Sequence, residues 1–237
     1  MMSMFNIFLL LFGIVLKIIF SLFIVLKLTI KNKLNYKNEW FNTYFKNKLI
    51  VKGTINIPKK NGFIVISNHI SFEDGFFIYK IFKNIKFIVA NGIIAKLFYK
   101  NHPDCIYYDI DPKNKINSGI EVKKKILECT RSNINIGIFP EGEFCNVDSL
   151  LPFKKGLFYL AYENNITIVP TLILLKKRTK FIFNYNINLN KKMVVKIFKP
   201  VKPNKFKCFD DYYSYIFNLM NDNYKKYVNK QKYDLII

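Results

Sequence analysis

Arginine is almost missing from this chain. Among 237 residues only Arg131 and Arg178 carry a guanidinium, and lysine supplies the rest of a formal net charge of +22. Such a charge calls for an anionic partner: nucleic acid, an anionic membrane surface or a phosphorylated substrate. Proteins that bind nucleic acid favour arginine, whose planar fork bonds guanine and phosphate at two points. Its scarcity argues against nucleic acid and leaves the other two. Part of the lysine excess is compositional, since abundant Lys, Asn, Ile, Phe and Tyr beside scarce Ala is the imprint of an AT-rich genome. Cysteine is also sparse. Cys105, Cys129, Cys145 and Cys208 are widely separated and show neither C-x-x-C nor zinc-like spacing. They read as free thiols in a reducing compartment. No internal repeat, Gly/Ser linker or low-complexity block divides the chain after residue 40, so one domain is expected. With 51% hydrophobic residues a disordered tail is excluded, and the length suffices for an α/β core.

The amino terminus is where charge is thinnest. Phe5–Leu26 is almost wholly apolar, interrupted by Lys17. A helix of that length, rising 1.5 Å per residue, reaches across a hydrocarbon core of ~30 Å. Lys17 opposes insertion by roughly 3 kcal/mol, while each surrounding Leu, Ile, Phe or Val returns roughly 0.3–0.6 kcal/mol, and their sum is larger. Gly13, Lys17 and Ser21 make one narrow polar stripe, which also suits a helix lying in the membrane interface. A cleaved signal peptide fits poorly, because no basic residue precedes the run and no Ala occurs before Ala90. Residues 1–32 are therefore expected to be a retained anchor, spanning or interfacial, and residues 33–237 the functional domain. Lys27, Lys31, Lys33 and Lys37 follow the apolar run and place that domain on the cytoplasmic face.

Beyond the anchor, strand-like runs alternate with helical ones. Strands are expected at Leu49–Lys52, Phe63–Ser67, Lys86–Ala90, Ile106–Asp109, Asn135–Phe139, Thr167–Leu175, Phe181–Tyr185 and Val194–Phe198. Helices are expected at Phe72–Phe82, Lys113–Arg131, Lys155–Glu163 and Phe209–Val228. In the second helix Ile116, Ile120 and Ile126–Leu127 share one face. The alternation predicts an α/β domain with a mostly parallel or mixed sheet flanked by helices.

Two polar motifs stand at the ends of strand-like runs, where an α/β fold builds its crevice. The first is Asn68-His69-Ile70-Ser71-Phe72-Glu73-Asp74 after Phe63–Ile66. A helix start turns the chain sharply, so the Asp74 carboxylate can return to accept a hydrogen bond from one imidazole nitrogen of His69. The other nitrogen is then aimed at the cleft as a base, the orienter–base half of a triad without its serine. Ser71-x-x-Asp74 equally matches a capping box, in which Asp74 ties down the helix start. His102, the only other histidine, has Tyr107 at the matching position and reads as a loop residue. The second motif is Phe139-Pro140-Glu141-Gly142. Pro140 ends the strand, and Gly142 permits a positive-φ turn and close approach to a ligand. An ordinary loop turn would carry the same residues.

Asn68-His69-x-x-x-x-Asp74, Phe139-Pro140-Glu141-Gly142, Phe153-Lys154-Lys155-Gly156 and Val169-Pro170 follow one another in that order. This ordered set, over roughly residues 49–200, resembles the glycerolipid acyltransferase family of the 1-acylglycerol-3-phosphate acyltransferase type. The resemblance implies direct acyl transfer from a thioester, acyl-CoA or acyl-carrier protein, to a hydroxyl of lysophosphatidic acid or a related lysophospholipid in phospholipid biosynthesis. It implies His69 as general base, Asp74 as its orienter, Glu141 and Gly142 shaping the acceptor site, and Lys154 holding a phosphate. No metal and no bound organic cofactor is implied, since the thioester is a cosubstrate. Pro170, lacking an N–H, is expected at a strand edge or bulge.

The chain departs from the family pattern twice. Ile110 stands where the family has an arginine that holds the acceptor phosphate, and Glu143-Phe144 replaces the usual threonine and polar residue. A larger-headgroup lysophospholipid is then an alternative acceptor. Glycerol-3-phosphate acyltransferase and CoA-independent transacylase remain alternatives within acyl transfer. A non-enzymatic binder of anionic lipid is the alternative outside it.

Overall fold

The structure is a computed structural model that describes residues 49–70, 74–90, 103–143, 149–175 and 193–233. The expected anchor at Phe5–Leu26, the expected strand at Phe181–Tyr185, and His102 lie outside these residues. The strands are β1 (Leu49–Lys52), β2 (Ile64–Ser67), β3 (Ile85–Ala90), β4 (Cys105–Tyr108), β5 (Asn135–Ile138), β6 (Ile168–Leu175) and β7 (Met193–Ile197). The helices are α1 (Asp74–Ile81), α2 (Lys115–Arg131), α3 (Lys155–Glu163) and α4 (Phe209–Tyr233). Among the described residues no helix is long and apolar enough to cross a membrane.

All seven strands form one sheet in the order β1-β7-β6-β2-β5-β3-β4. β4, β3, β5, β2 and β6 run parallel. β7 pairs antiparallel with β6, and β1 pairs parallel with β7. The domain is thus α/β with a mixed sheet. β2 lies near its middle and reads Ile-Val-Ile-Ser, buried at every position, as a strand covered on both faces must. From β2 the chain travels outward through β3 and β4, returns to β5 on one side of β2, then crosses to β6 on the other. The strand order therefore switches direction around β2, where a ligand crevice is expected at the carboxyl ends of the strands.

Helices pack against strands on both sides of β2: α2 against β4 and β5, α4 against β6. α4 places Tyr212, Ile216, Met220, Tyr224 and Val228 in the core at four-residue intervals, the spacing of one helix face. Its aromatic residues interlock with α3 and the segment before it: Phe158 of α3 meets Tyr213 edge-on at 5.2 Å, and Phe153 just ahead of α3 meets Phe217 at 5.1 Å.

Two expectations are corrected here. Of the expected face of α2, Ile126 is buried but Ile116 and Ile120 are 77% and 61% exposed, and Val122 is the buried neighbour of Ile126 in their place. Gly119 lies near the side of Val122 and Ile126, where a Cβ would stand 3.8 Å from the Tyr108 ring. Pro170 is not at an edge, because β6 is flanked by β2 and β7. The bulge half of that expectation does describe it. The β6–β7 ladder ends at Thr171↔Ile197, and pairing resumes at Ile168↔Val201 with one extra residue on the β7 side. The Pro170 carbonyl accepts from the Phe198 N–H at 2.9 Å, so the missing proline donor falls within this widened stretch.

Candidate active site

β2 stops at Ser67 because of what the next side chain does. Asn68 is fully buried, and its amide grips the Ile173 backbone on both sides. Nδ2 donates to the Ile173 carbonyl at 3.0 Å, and Oδ1 accepts from the Ile173 N–H at 2.7 Å. The side chain thereby meets both backbone groups of Ile173, which two successive partners on a continued parallel strand would otherwise have met, and the backbone is released from the sheet at His69.

His69 leaves the strand end, and Asp74 opens α1 five positions on. Nδ1 of His69 lies 2.9 Å from Oδ2 of Asp74. The same oxygen accepts from the Ile70 N–H at 2.6 Å. A carboxylate only accepts, so the shared hydrogen sits on Nδ1, and Nε2 is the nitrogen with a lone pair to offer. The Asp74 side chain is fully buried, whereas the His69 side chain keeps 22% exposure, so the carboxylate is sealed and the imidazole is reachable. A carboxylate in the first turn of a helix is also favoured by the helix dipole. Asp74 opens α1 and partners the imidazole; the capping-box reading with Ser71 falls outside the described residues.

Glu141 joins this corner from the end of β5. It is only 3% exposed. Oε1 accepts from the His69 N–H at 3.0 Å, and Oε2 accepts from the Leu151 N–H at 2.8 Å. One carboxylate therefore ties the base-bearing turn to the segment that leads into α3. Gly142 turns with φ 76°, and its N–H bonds the Phe139 carbonyl at 3.1 Å. A Cβ at Gly142 would fall on the Lys154 side chain, with Cε 2.6 Å away. Lys154 lies across that glycine, and its N–H donates to the Pro140 carbonyl at 2.9 Å. Lys155 points elsewhere: its Nζ is 3.4 Å from Asp210 and 5.1 Å from the Tyr213 ring centroid.

The imidazole has a second support. Phe139 stacks on His69 with centroids 4.2 Å apart and planes 12° apart, and Phe87 lies beyond it at 6.3 Å. Gly137 makes room for Phe87, since a Cβ there would stand 2.6 Å from the ring.

The fold thus brings His69, Asp74 and Glu141 into direct contact, with Gly142 and Lys154 packed on each other beside Pro140. Ile110 is 54% exposed beyond β4. Three contributors escaped the sequence reading of roles: Asn68 as clamp, Phe139 as stacking partner and the Leu151 N–H as the second ligand of Glu141. Asn68 and Phe139 lie inside the quoted motifs, so their position was a usable signal. Leu151 gave none. Among the described residues no three His, Cys, Asp or Glu side chains cluster to hold a metal ion.

The family model described as Acyltransferase matches residues 48–174, more than half of the chain. A 1-acyl-sn-glycerol-3-phosphate acyltransferase of Saccharomyces cerevisiae is 31% identical over 163 residues, covering 64% of this chain and 50% of that protein. One from Borreliella burgdorferi is 29% identical over 127 residues, covering 53% and 51%. The chain spans about half the length of these curated relatives. The crystal structure of the 1-acyl-sn-glycerophosphate (LPA) acyltransferase of Thermotoga maritima shares the fold, with a TM-score of 0.60 at 22% identity over 82% of this chain and 76% of that one.

Proposed function

The chain belongs to the Acyltransferase family, and from that membership we propose that it transfers a fatty acyl group from a thioester donor, acyl-CoA or acyl-carrier protein, to a hydroxyl of lysophosphatidic acid or a related lysophospholipid. The observation that carries this reading is the 2.9 Å contact between His69 Nδ1 and Asp74 Oδ2 at the end of β2, with the imidazole partly open to the outside.

In the reaction the acceptor hydroxyl binds against His69 Nε2. As its oxygen attacks the thioester carbonyl, the hydroxyl proton passes to Nε2, and Asp74 balances the imidazolium that forms. The tetrahedral intermediate then expels the thiolate. The C–S bond breaks, the thiol takes the proton from His69, and an ester remains on the acceptor. Glu141 acts through position, fixing the His69 backbone and the Leu151 segment that borders the acceptor. Lys154, held over Gly142, offers a cation to the acceptor phosphate. The names of the relatives support lysophosphatidic acid as acceptor. The apolar Ile110 supports testing larger headgroups beside it.

The amino-terminal Phe5–Leu26 serves as membrane anchor in this reading, and the domain of residues 33–237 works at the cytoplasmic face, where acyl donor and lysolipid meet. The test is the purified full chain with a matrix of acceptors (lysophosphatidic acid, lysophosphatidylcholine, lysophosphatidylglycerol, glycerol 3-phosphate) and donors (acyl-CoA, acyl-carrier protein, diacyl phospholipid), read by mass spectrometry. Transfer to a lysophospholipid that disappears in folded His69→Ala is expected. Unchanged turnover in that variant overturns the assignment of the base. Binding of anionic vesicles without turnover on any pair overturns acyl transfer itself.

A further inference from the structure

The exposed isoleucines of α2 call for an explanation. Ile116 and Ile120 stand four residues apart and share one helix face at 77% and 61% exposure, with Ile110 just before the helix at 54%. They sit roughly a third of a turn round the helix from the buried pair Val122 and Ile126, so they contribute little to the domain core. Lys123 lies beside them on the wheel and Lys124 a little further round, both exposed. The acids nearby face other tasks. Asp109 accepts from the Asp111 N–H and from Asn114, Asp111 accepts from the Lys113 N–H, and Glu121 falls on another side of the helix.

The place of this patch in the fold matters as much as its composition. β4 runs parallel with β3, β5 and β2, so its carboxyl end lies on the same edge of the sheet as His69. α2 begins at that edge, and Ile116 and Ile120 occupy its first turns. Large apolar side chains ringed by lysine, at the rim of the edge that carries the base, match the chemistry of an anionic bilayer surface: aliphatic insertion beneath the headgroups with cations at phosphate level.

We propose that Ile110, Ile116 and Ile120, with Lys123 and Lys124, form a docking face that seats the catalytic edge of the domain on an anionic membrane. The proposal rests on the lipid-directed reading above and deepens it, for it gives the domain its own membrane contact apart from the amino-terminal segment. A lysolipid acceptor then reaches His69 from the bilayer without fully leaving it.

The test uses the chain's single tryptophan, Trp40. In the full chain carrying Trp40→Phe, one new tryptophan is placed at Ile116→Trp, Ile120→Trp or, as control, the exposed Tyr215→Trp on α4, which packs on β6 across β2 from β4. Vesicles of phosphatidylcholine and phosphatidylglycerol carry bromine on their acyl chains, and flotation scores attachment. Quenching at positions 116 and 120 but not at 215 is the expected result. Flotation without quenching at 116 overturns the proposal, because the amino-terminal segment then carries attachment alone or another copy covers the patch. Failure to float overturns it as well. This readout needs no turnover, so it stands apart from the fate of the acyl-transfer reading. Where wild type does transfer, Ile116→Asp combined with Ile120→Asp lowers kcat/KM for lysolipid in vesicles by about tenfold, the effect of losing one well-buried aliphatic side chain. The same variant leaves kcat for lysolipid in detergent micelles unchanged; an equal loss in both would instead mark a structural role.

Discussion

Phe139 lies flat against His69, ring centroids 4.2 Å apart, so the imidazole is held by an aromatic plane as well as by the Asp74 carboxylate. The hydrogen bond fixes one nitrogen, and the stack fixes the tilt of the ring about that bond. In Phe139→Leu the tilt is released while the acid–base pair survives. Acyl transfer at saturating acceptor is expected to fall roughly ten- to a hundredfold, as reacting atoms lose alignment. Steady-state kcat measured beside an unchanged circular dichroism spectrum checks this.

Asp74→Asn separates orientation from charge. An amide oxygen still accepts from Ile70 and from the imidazole, but the negative charge beside the imidazolium is gone. A fall in kcat/KM of about 10²–10⁴ is expected, the range for losing general-base assistance. Thermal unfolding should change far less than activity.

Glu141 is a test of the opposite kind. Its two oxygens satisfy the backbone N–H groups of His69 and Leu151, both drawn from segments that pack at the site. Glu141→Ala leaves two donors without these partners and is expected to cost about 2–6 kcal/mol of stability, since each unmet buried donor costs about 1–3 kcal/mol. Glu141→Gln restores one acceptor and part of the loss. Urea unfolding midpoints distinguish the two.

Asn68→Asp probes the clamp on Ile173. One oxygen still accepts from the Ile173 N–H, but the other faces a carbonyl where an N–H₂ belonged. A buried charge without its donor role is expected to destabilise the fold by about 3 kcal/mol or more. Asn68→Ala, which only removes the pair, should be milder. Calorimetric Tm values for the two variants give the order.

Burial pushes the Cys105 thiol up from its ordinary value of 9.0 to about 11, whereas Cys208 is exposed. Below pH 9 the folded and unfolded chains both hold this proton, and the burial contributes fully to stability. Between pH 9 and about 11 the unfolded chain loses it first, so that contribution falls as pH rises through the window. Alkylation by iodoacetamide at pH 8, mapped by mass spectrometry, should modify Cys208 well before Cys105 in the native chain. The order should level out in urea.

The parts of this site that could be read in the sequence are the local ones. His69 and Asp74 are five residues apart across a helix start, and the turn that joins them is short enough to deduce. The contact of Glu141 with the His69 backbone spans 72 positions, and that of Asn68 with Ile173 spans 105. Such contacts depend on strand order, which alternation alone leaves open. The α/β alternation and most element positions were legible because buried strands and four-residue helix spacing leave direct marks. α2 shows the limit. Periodicity grouped Ile116, Ile120 and Ile126 loosely together, but the face that the sheet receives is the one shared by Val122 and Ile126. Pro170 shows another: a missing donor announces an irregular ladder without saying whether a bulge or an edge will provide it.

The crossing of the chain from β5 to β6 around β2 means that no contiguous stretch contains the working corner. The end of β2 contributes His69, the end of β5 the Glu141 carboxylate that braces its backbone, and β6 the Ile173 backbone that Asn68 clamps. A chain with only its first half paired would have His69 and Asp74 as neighbours yet nothing to hold their turn in place. Catalysis should therefore vanish together with the whole sheet on denaturation, in a single step, making turnover itself a gauge of complete assembly.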